Sequence, residues 1–206
     1  VIVLKACAPG LRGKAESDED TGMNEPEFSA IATPRLQLDR LVPADAPFLF
    51  AYRGDDAVAR FQGWKPAELA DAEAFIARQC AQPFAVPDSW FQLAIRDQAS
   101  GELVGDLGIH FPARQVDAIE FGITVKPERQ GRGYAREALH ALLDLAFGTW
   151  GYRRATGSVD PRNTASMALL RSLGFRQEAH HVESCLVRGE WTDDVVFAML
   201  AREWRG

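Results

Sequence analysis

The chain has 206 residues and a mass of 22.7 kDa; 47% hydrophobic and 25% charged residues are the composition of a folded globular domain and exclude disorder along its whole length. Its longest uninterrupted apolar run, Val195 to Ala201, is seven residues, far short of the roughly 20 that span a bilayer, so no membrane partner is expected. The net charge is -6 with Lys and Arg scattered, which argues against a nucleic-acid partner, since that would need a basic face.

Residues 1–27 set three basic residues, Lys5, Arg12 and Lys14, against six acidic ones, half of the net charge, in a segment with Gly, Pro and Ser and no amphipathic period. They read as a disordered leader or an extension ahead of Met23, with the folded domain over residues 28–206. Val1 to Leu4 is cut off at once by Lys5, too short for a secretory signal. Cys7, Cys80 and Cys185 are far apart, with no Cys-x-x-Cys pair and no His at metal-ligand spacing. They read as free thiols of a cytoplasmic chain without a metal site.

Thr33 to Leu38 alternates apolar and polar residues and predicts a strand. Asp45 stands as an N-cap before a short helix over Phe48 to Tyr52 with Pro47 in its first turn. A second helix is expected over Ala67 to Gln82. Trp90 to Arg96, Leu103 to Phe111 and Ala118 to Val125 are β-rich runs separated by polar breaks, which predicts an antiparallel meander. From Ala135 to Trp150 the apolar residues keep a 3.6 period without interruption. A strand (Ala155 to Val159), a helix (Asn163 to Leu173, ending at Gly174) and two strands (Glu183 to Arg188, Val195 to Leu200) about Gly189 complete the order.

Between the third meander strand and the long helix lies Gln130-Gly131-Arg132-Gly133-Tyr134-Ala135. Glycines at 131 and 133 let backbone N–H groups converge where a helix begins, which suits a pyrophosphate. A Rossmann fingerprint would need Gly where Arg136 stands, and no P-loop Lys-Ser/Thr follows. The loop resembles the acetyl-CoA pyrophosphate loop of the GNAT superfamily of N-acetyltransferases. Asp160 to Ser166, followed by Leu173-Gly174-Phe175, resembles that superfamily's second cofactor-contacting segment. Thr33 to Leu36 and Gly189 to Asp193 are similar to the branch containing the ribosomal-protein-alanine N-acetyltransferases.

The resemblance covers about residues 30 to 204. It implies a GNAT-type α/β fold, with a mixed, mostly antiparallel sheet splayed at the cofactor site and flanked by helices. It also implies acetyl-CoA as co-substrate, and Ile123, Thr124, Val125, Arg129, Gln130, Gly131, Arg132, Gly133, Tyr134, Ala135 and Asn163 as its contacts. The activity implied is acetyl transfer to a primary amine acceptor, a peptide N-terminus or a small molecule, by a monomer or homodimer. A non-catalytic acyl-CoA sensor is the alternative from another class.

Amine attack on a thioester needs a base. Glu120 is the acid available on the strand before the loop, with a solvated strand residue as the other reading. Many superfamily members protonate the departing thiolate with a Tyr at the place held here by Leu170, so that role does not transfer. Ser166 fills the place of the acid in the ribosomal branch; a Ser bonding its own helix backbone is the alternative. Asn163 suits a helix N-cap as well as a pantetheine contact, and Arg129 and Arg132 suit solvated loop charges as well as phosphates.

Overall fold

In the computed structural model, which describes residues 28–206, eight strands pair in the order β1-β2-β3-β4-β5-β6-β8-β7. They are β1 Ile31–Ala32, β2 Leu36–Arg40, β3 Trp90–Asp97, β4 Leu103–His110, β5 Ala118–Val125, β6 Arg154–Val159, β7 Arg176–Val187 and β8 Glu190–Leu200. The helices are α1 Ala46–Arg53, α2 Asp56–Ala59, α3 Leu69–Ala81, α4 Tyr134–Asp144 and α5 Thr164–Ser172. Neighbouring strands are antiparallel except β5 and β6. This is the mixed α/β architecture expected, and none of the described helices is long and apolar enough to cross a membrane.

The period of two along each strand decides what lies on each side. Ile119, Phe121, Ile123 and Val125 of β5 join Leu107 and Ile109 of β4 and the α4 stripe Ala138, Leu139, Leu142 and Leu143 in the larger core. Leu41, Leu49, Tyr52, Ala72, Ile76 and Ala94 form a smaller core under α1 and α3 on the opposite side. Full burial of each large apolar side chain contributes about 1.5–3 kcal/mol. A slip of β5 by one residue would drive Glu120 and Thr124 into the larger core, so the register is fixed.

β5 and β6 pair over only three residues each, Ala118 to Glu120 with Arg154 to Thr156. Beyond that fork β5 stays with β4 as far as Val125 and β6 stays with β8 as far as Val159. The sheet therefore opens between two strands whose outer edges remain paired.

Several boundaries differ from the sequence expectations. Thr33 to Arg35 is a turn between β1 and β2: the Thr33 N–H donates to Leu36 O at 2.8 Å, and Pro34 cannot donate to a ladder. Asp45 stands at the N-cap position of α1, with Pro47 in the first turn as expected, but makes no side-chain capping bond; its carboxylate accepts from the Val42 N–H at 2.8 Å and from Arg96 at 2.7 and 2.8 Å. Asp55 caps the short α2, which the sequence reading missed. The long helix is α-helical only to Asp144 and ends in a π turn over Leu145–Thr149, where the Trp150 N–H bonds Leu145 O at 2.8 Å. That wider turn accompanies the packing of Trp150 on Phe84, ring centroids 5.0 Å apart. β7 and β8 are far longer than read, because most β7 side chains are exposed and carry no apolar alternation. Cys80 is a free thiol as expected, whereas Cys185 is disulfide-bonded; Cys7 and the proposed leader lie outside the described residues.

Candidate active site

Backbone direction identifies which groups of β5 face the opening. The Lys126 N–H donates to Val104 O of β4 at 3.0 Å, and Ile119 O accepts from Thr156 Oγ1 of β6 at 3.2 Å. Peptide groups alternate along a strand, so even-numbered β5 residues turn theirs to β4 and odd-numbered ones toward β6. Past the fork, Phe121, Ile123 and Val125 therefore present peptide groups to the gap. Among the expected contacts, Ile123 and Val125 are placed there by their backbones; Val125 O already accepts from Gln130 Nε2 at 2.7 Å. Thr124 instead directs its peptide to β4, and its buried hydroxyl accepts from Gln62 Nε2 at 3.3 Å.

The glycine loop closes one end of this gap. Gly131 and Gly133 have φ of 70° and 80°, the left-handed region that other residues enter at a cost. A Cβ at Gly131 would project into open space, and one at Gly133 would come 3.3 Å from the Arg35 guanidinium. Gly133 caps α4 without a side-chain bond. Among the described residues, no hydrogen bond is donated by the N–H groups of Gly131 to Arg136. A run of uncommitted N–H groups at a helix start fits a diphosphate.

Side chains of the same loop are mostly engaged in holding it. Arg129 and Lys126 both bind Glu102, and their hydrogen bonds hold that carboxyl below its ordinary range. Tyr134 is buried in the larger core, with its hydroxyl on Asp97 at 3.2 Å and the Arg35 guanidinium 4.8 Å above its ring. Arg132 lends its carbonyl to Arg35 at 2.9 Å, and its own side chain is exposed. Glu137 ties the Thr33–Arg35 turn to α4 through Thr33 Oγ1 at 2.6 Å and the Arg35 N–H at 2.9 Å.

At the other lip, β6 leads through Asp160 to α5. Asn163 caps that helix, its side-chain oxygen accepting from the Ser166 N–H at 3.2 Å. Both residues are buried. The helix closes in a Schellman pattern, Phe175 N–H to Leu170 O and Gly174 N–H to Arg171 O, each 3.0 Å. Leu170, at the place where the resemblance implies a Tyr in many members, is fully buried in the larger core.

Glu120 is the last β5 residue paired with β6, opposite Thr156, so it stands at the fork. Its side chain is 26% exposed on the α1 side, beside His110 of β4, whose Nδ1 lies 3.6 Å from Oε2. Farther along that side is a polar network the sequence reading missed. Fully buried Asp106 accepts from Tyr52 Oη at 2.6 Å, from Arg53 and from Gln92, and Arg53 also reaches Gln62 Oε1 at 3.1 Å. Burial, and then the charge of Asp106, push the Tyr52 hydroxyl well above its ordinary pKa. The signal was present: Asp106 is the lone carboxylate in the interior of an apolar strand, and such a charge needs partners.

Against proteins of known sequence, the description Acetyltransferase (GNAT) domain matches residues 35–176. The uncharacterized N-acetyltransferase p20 of Bacillus licheniformis is 27% identical over 180 residues, 87% of this chain and all of that one. The [ribosomal protein uS5]-alanine N-acetyltransferase of Escherichia coli is 28% identical over 117 residues, 56% of this chain and 60% of that protein. Among solved structures, spermidine N-acetyltransferase from Vibrio cholerae, in complex with CoA and spermine, superposes with a TM-score of 0.70 at 22% identity, over 83% of this chain and 98% of that one. That last likeness is one of fold.

Proposed function

The chain belongs to the GNAT acetyltransferase family and is an acetyl-CoA-dependent N-acetyltransferase; from that premise we propose that its acceptor is a peptide N-terminal amine and that Glu120 is the base. The observation that supports this placement is the three-residue pairing of β5 with β6, past which the sheet opens along the rest of β5 toward the glycine loop. In this reading the N–H groups of Gly131 to Ala135 hold the pyrophosphate. The peptide edges of Ile123 and Val125 hold the pantetheine arm as an added strand would be held, with Asn163 at the opposite lip. Acetyl-CoA supplies the thioester whose carbonyl the amine attacks.

Glu120, at the fork, takes the proton that an ammonium must lose before it is nucleophilic. Ser166, in the first turn of α5, gives a proton to the departing thiolate. Arg129, paired with Glu102, shapes the loop; Arg132 is the better placed of the two for phosphate. An N-terminal acceptor is supported by the similarity of Thr33 to Leu36 and Gly189 to Asp193 to the ribosomal branch, and by the uS5-alanine relative. An α-amine also loses its proton more readily than a lysine side chain, at about 7.7–8.0 against about 10.4.

The test is thiol release from acetyl-CoA with a peptide library beside polyamines and aminoglycosides. We expect peptides to be turned over with the higher kcat/KM, and Glu120→Gln to lower kcat about a hundredfold with unchanged acetyl-CoA affinity. Turnover of a polyamine or aminoglycoside with inert peptides overturns the acceptor assignment. A Glu120→Gln enzyme with wild-type rate and pH dependence overturns the base.

A further inference from the structure

His110 has no part in the reading above, yet its Nδ1 is, among the described residues, a buried side-chain atom without a hydrogen-bond partner. Such atoms are rare, because their lost hydration is uncompensated. The imidazole is fixed by stacking on Trp90, ring centroids 5.1 Å apart and planes at 21°. It is 15% exposed, against 26% for the Glu120 side chain, so the carboxylate is the more open member of the pair. An imidazole protonated on Nε2 turns its Nδ1 lone pair toward Oε2 of the carboxylate, and two lone pairs cannot bond. One proton between them creates a charge-assisted hydrogen bond.

The neighbouring charges are already engaged. Arg154 of β6 is bound to Glu178 of β7, and Asp106 of β4 to Arg53 of α1. In the loops at this end of the sheet, Asp88 accepts from the Ala113 N–H, Asp117 binds Arg153, and Arg114 is exposed. Gln79, the α3 residue bonded to β3 at Gln92, is uncharged. The space between Glu120 and His110 is thus a proton site that no neighbour among the described residues fills.

We propose that His110 receives the proton that Glu120 takes from the acceptor ammonium, the two residues acting as one base; the inference rests on Glu120 as the base. The ammonium N–H bond breaks, its electron pair stays on nitrogen, and the proton passes through the carboxylate to Nδ1. Glu120 is then a carboxylate again, hydrogen-bonded to an imidazolium that solvent later deprotonates. Imidazole in general holds a proton about two pK units better than a carboxylate, which makes removal from an amine less uphill.

His110→Phe keeps a ring on Trp90 and removes both nitrogens. The expected result is a roughly tenfold fall in kcat/KM for a strongly basic acceptor, with acetyl-CoA affinity and thermal unfolding unchanged. The defect shrinks for an amine that is mostly free base at the assay pH, and the pH profile of kcat/KM loses one titrating group. In a Glu120→Gln background the same change has no further effect, as for residues acting as a unit. An equal loss on all amines with an unaltered profile, or losses that multiply in the double variant, overturns the proposal. Should His110→Phe fail to fold, His110→Asn, which offers Glu120 an amide but accepts no proton, must give the same dependence on the amine. A Glu120→Gln enzyme at full rate removes the base itself, whereas a slow Glu120→Gln beside an unaffected His110→Phe removes only the pairing.

Discussion

The two lips of the gap share a plan and differ in finish. At one, β5 leaves the sheet and enters α4; at the other, β6 leaves it and enters α5. The start of α4 is capped by Gly133 with no side chain, and its N–H groups are uncommitted among the described residues. The start of α5 is closed by Asn163, which takes the Ser166 N–H, and both residues are buried. In the proposed reading the open helix start receives the diphosphate, whereas the other is first closed by its own cap. Within one fold, the same local structure can hold a ligand or hold itself, and the side chain at the cap decides which.

Exchange of the cap character breaks this contrast most strongly at α4. Gly133→Val places a branched side chain at a φ of 80°, with its Cβ 3.3 Å from Arg35, and we expect acetyl-CoA affinity to fall tenfold or more, about 1.4 kcal/mol, in a protein that still folds. Unchanged affinity by calorimetry would show that the loop does not hold the pyrophosphate. At the other lip Ser166→Ala is expected to slow turnover about tenfold, with a smaller defect for an acyl donor whose thiol has a lower pKa. A defect independent of the leaving thiol leaves Ser166 a helix residue only.

Asn163→Ala sharpens the contrast in the opposite currency. Loss of the cap is expected to lower unfolding stability by about 1 kcal/mol, read from urea midpoints, with a lesser effect on acetyl-CoA affinity than Gly133→Val. The smallest effect concerns Glu137, which ties the Thr33–Arg35 turn to the α4 lip. Burial works against its charge, but hydrogen bonds from Thr33 and Arg35 outweigh it and hold the carboxyl below its ordinary range. Its contribution is therefore fully present above the unfolded value, about 4.3, and is lost as pH falls through the lower folded value. Glu137→Gln should flatten that part of the profile of melting temperature against pH, and an unaltered profile would disprove the tie.

Local chemistry fixed what could be read from the amino-acid order alone. The meander boundaries, the α4 stripe, the two glycines of the loop, the Asn163 cap and the Gly174 stop each depend on residues within a few positions of one another, so periodicity and turn chemistry found them. Glu120 was singled out as the acid on the strand before the loop, but its position at the fork depends on where β6, more than 30 residues later, stops pairing. Tertiary packing alone decided that only Ala118 to Glu120 meet β6, that Asp106 gathers Tyr52, Arg53 and Gln92, and that His110 faces Glu120. It also turned the end of the α4 pattern into a π turn and tied Arg129 to Glu102. The physical reason is shared: a strand's side-chain period specifies which face is buried, whereas the partner across that face, and the point at which two strands part, depend on contacts between segments distant in sequence.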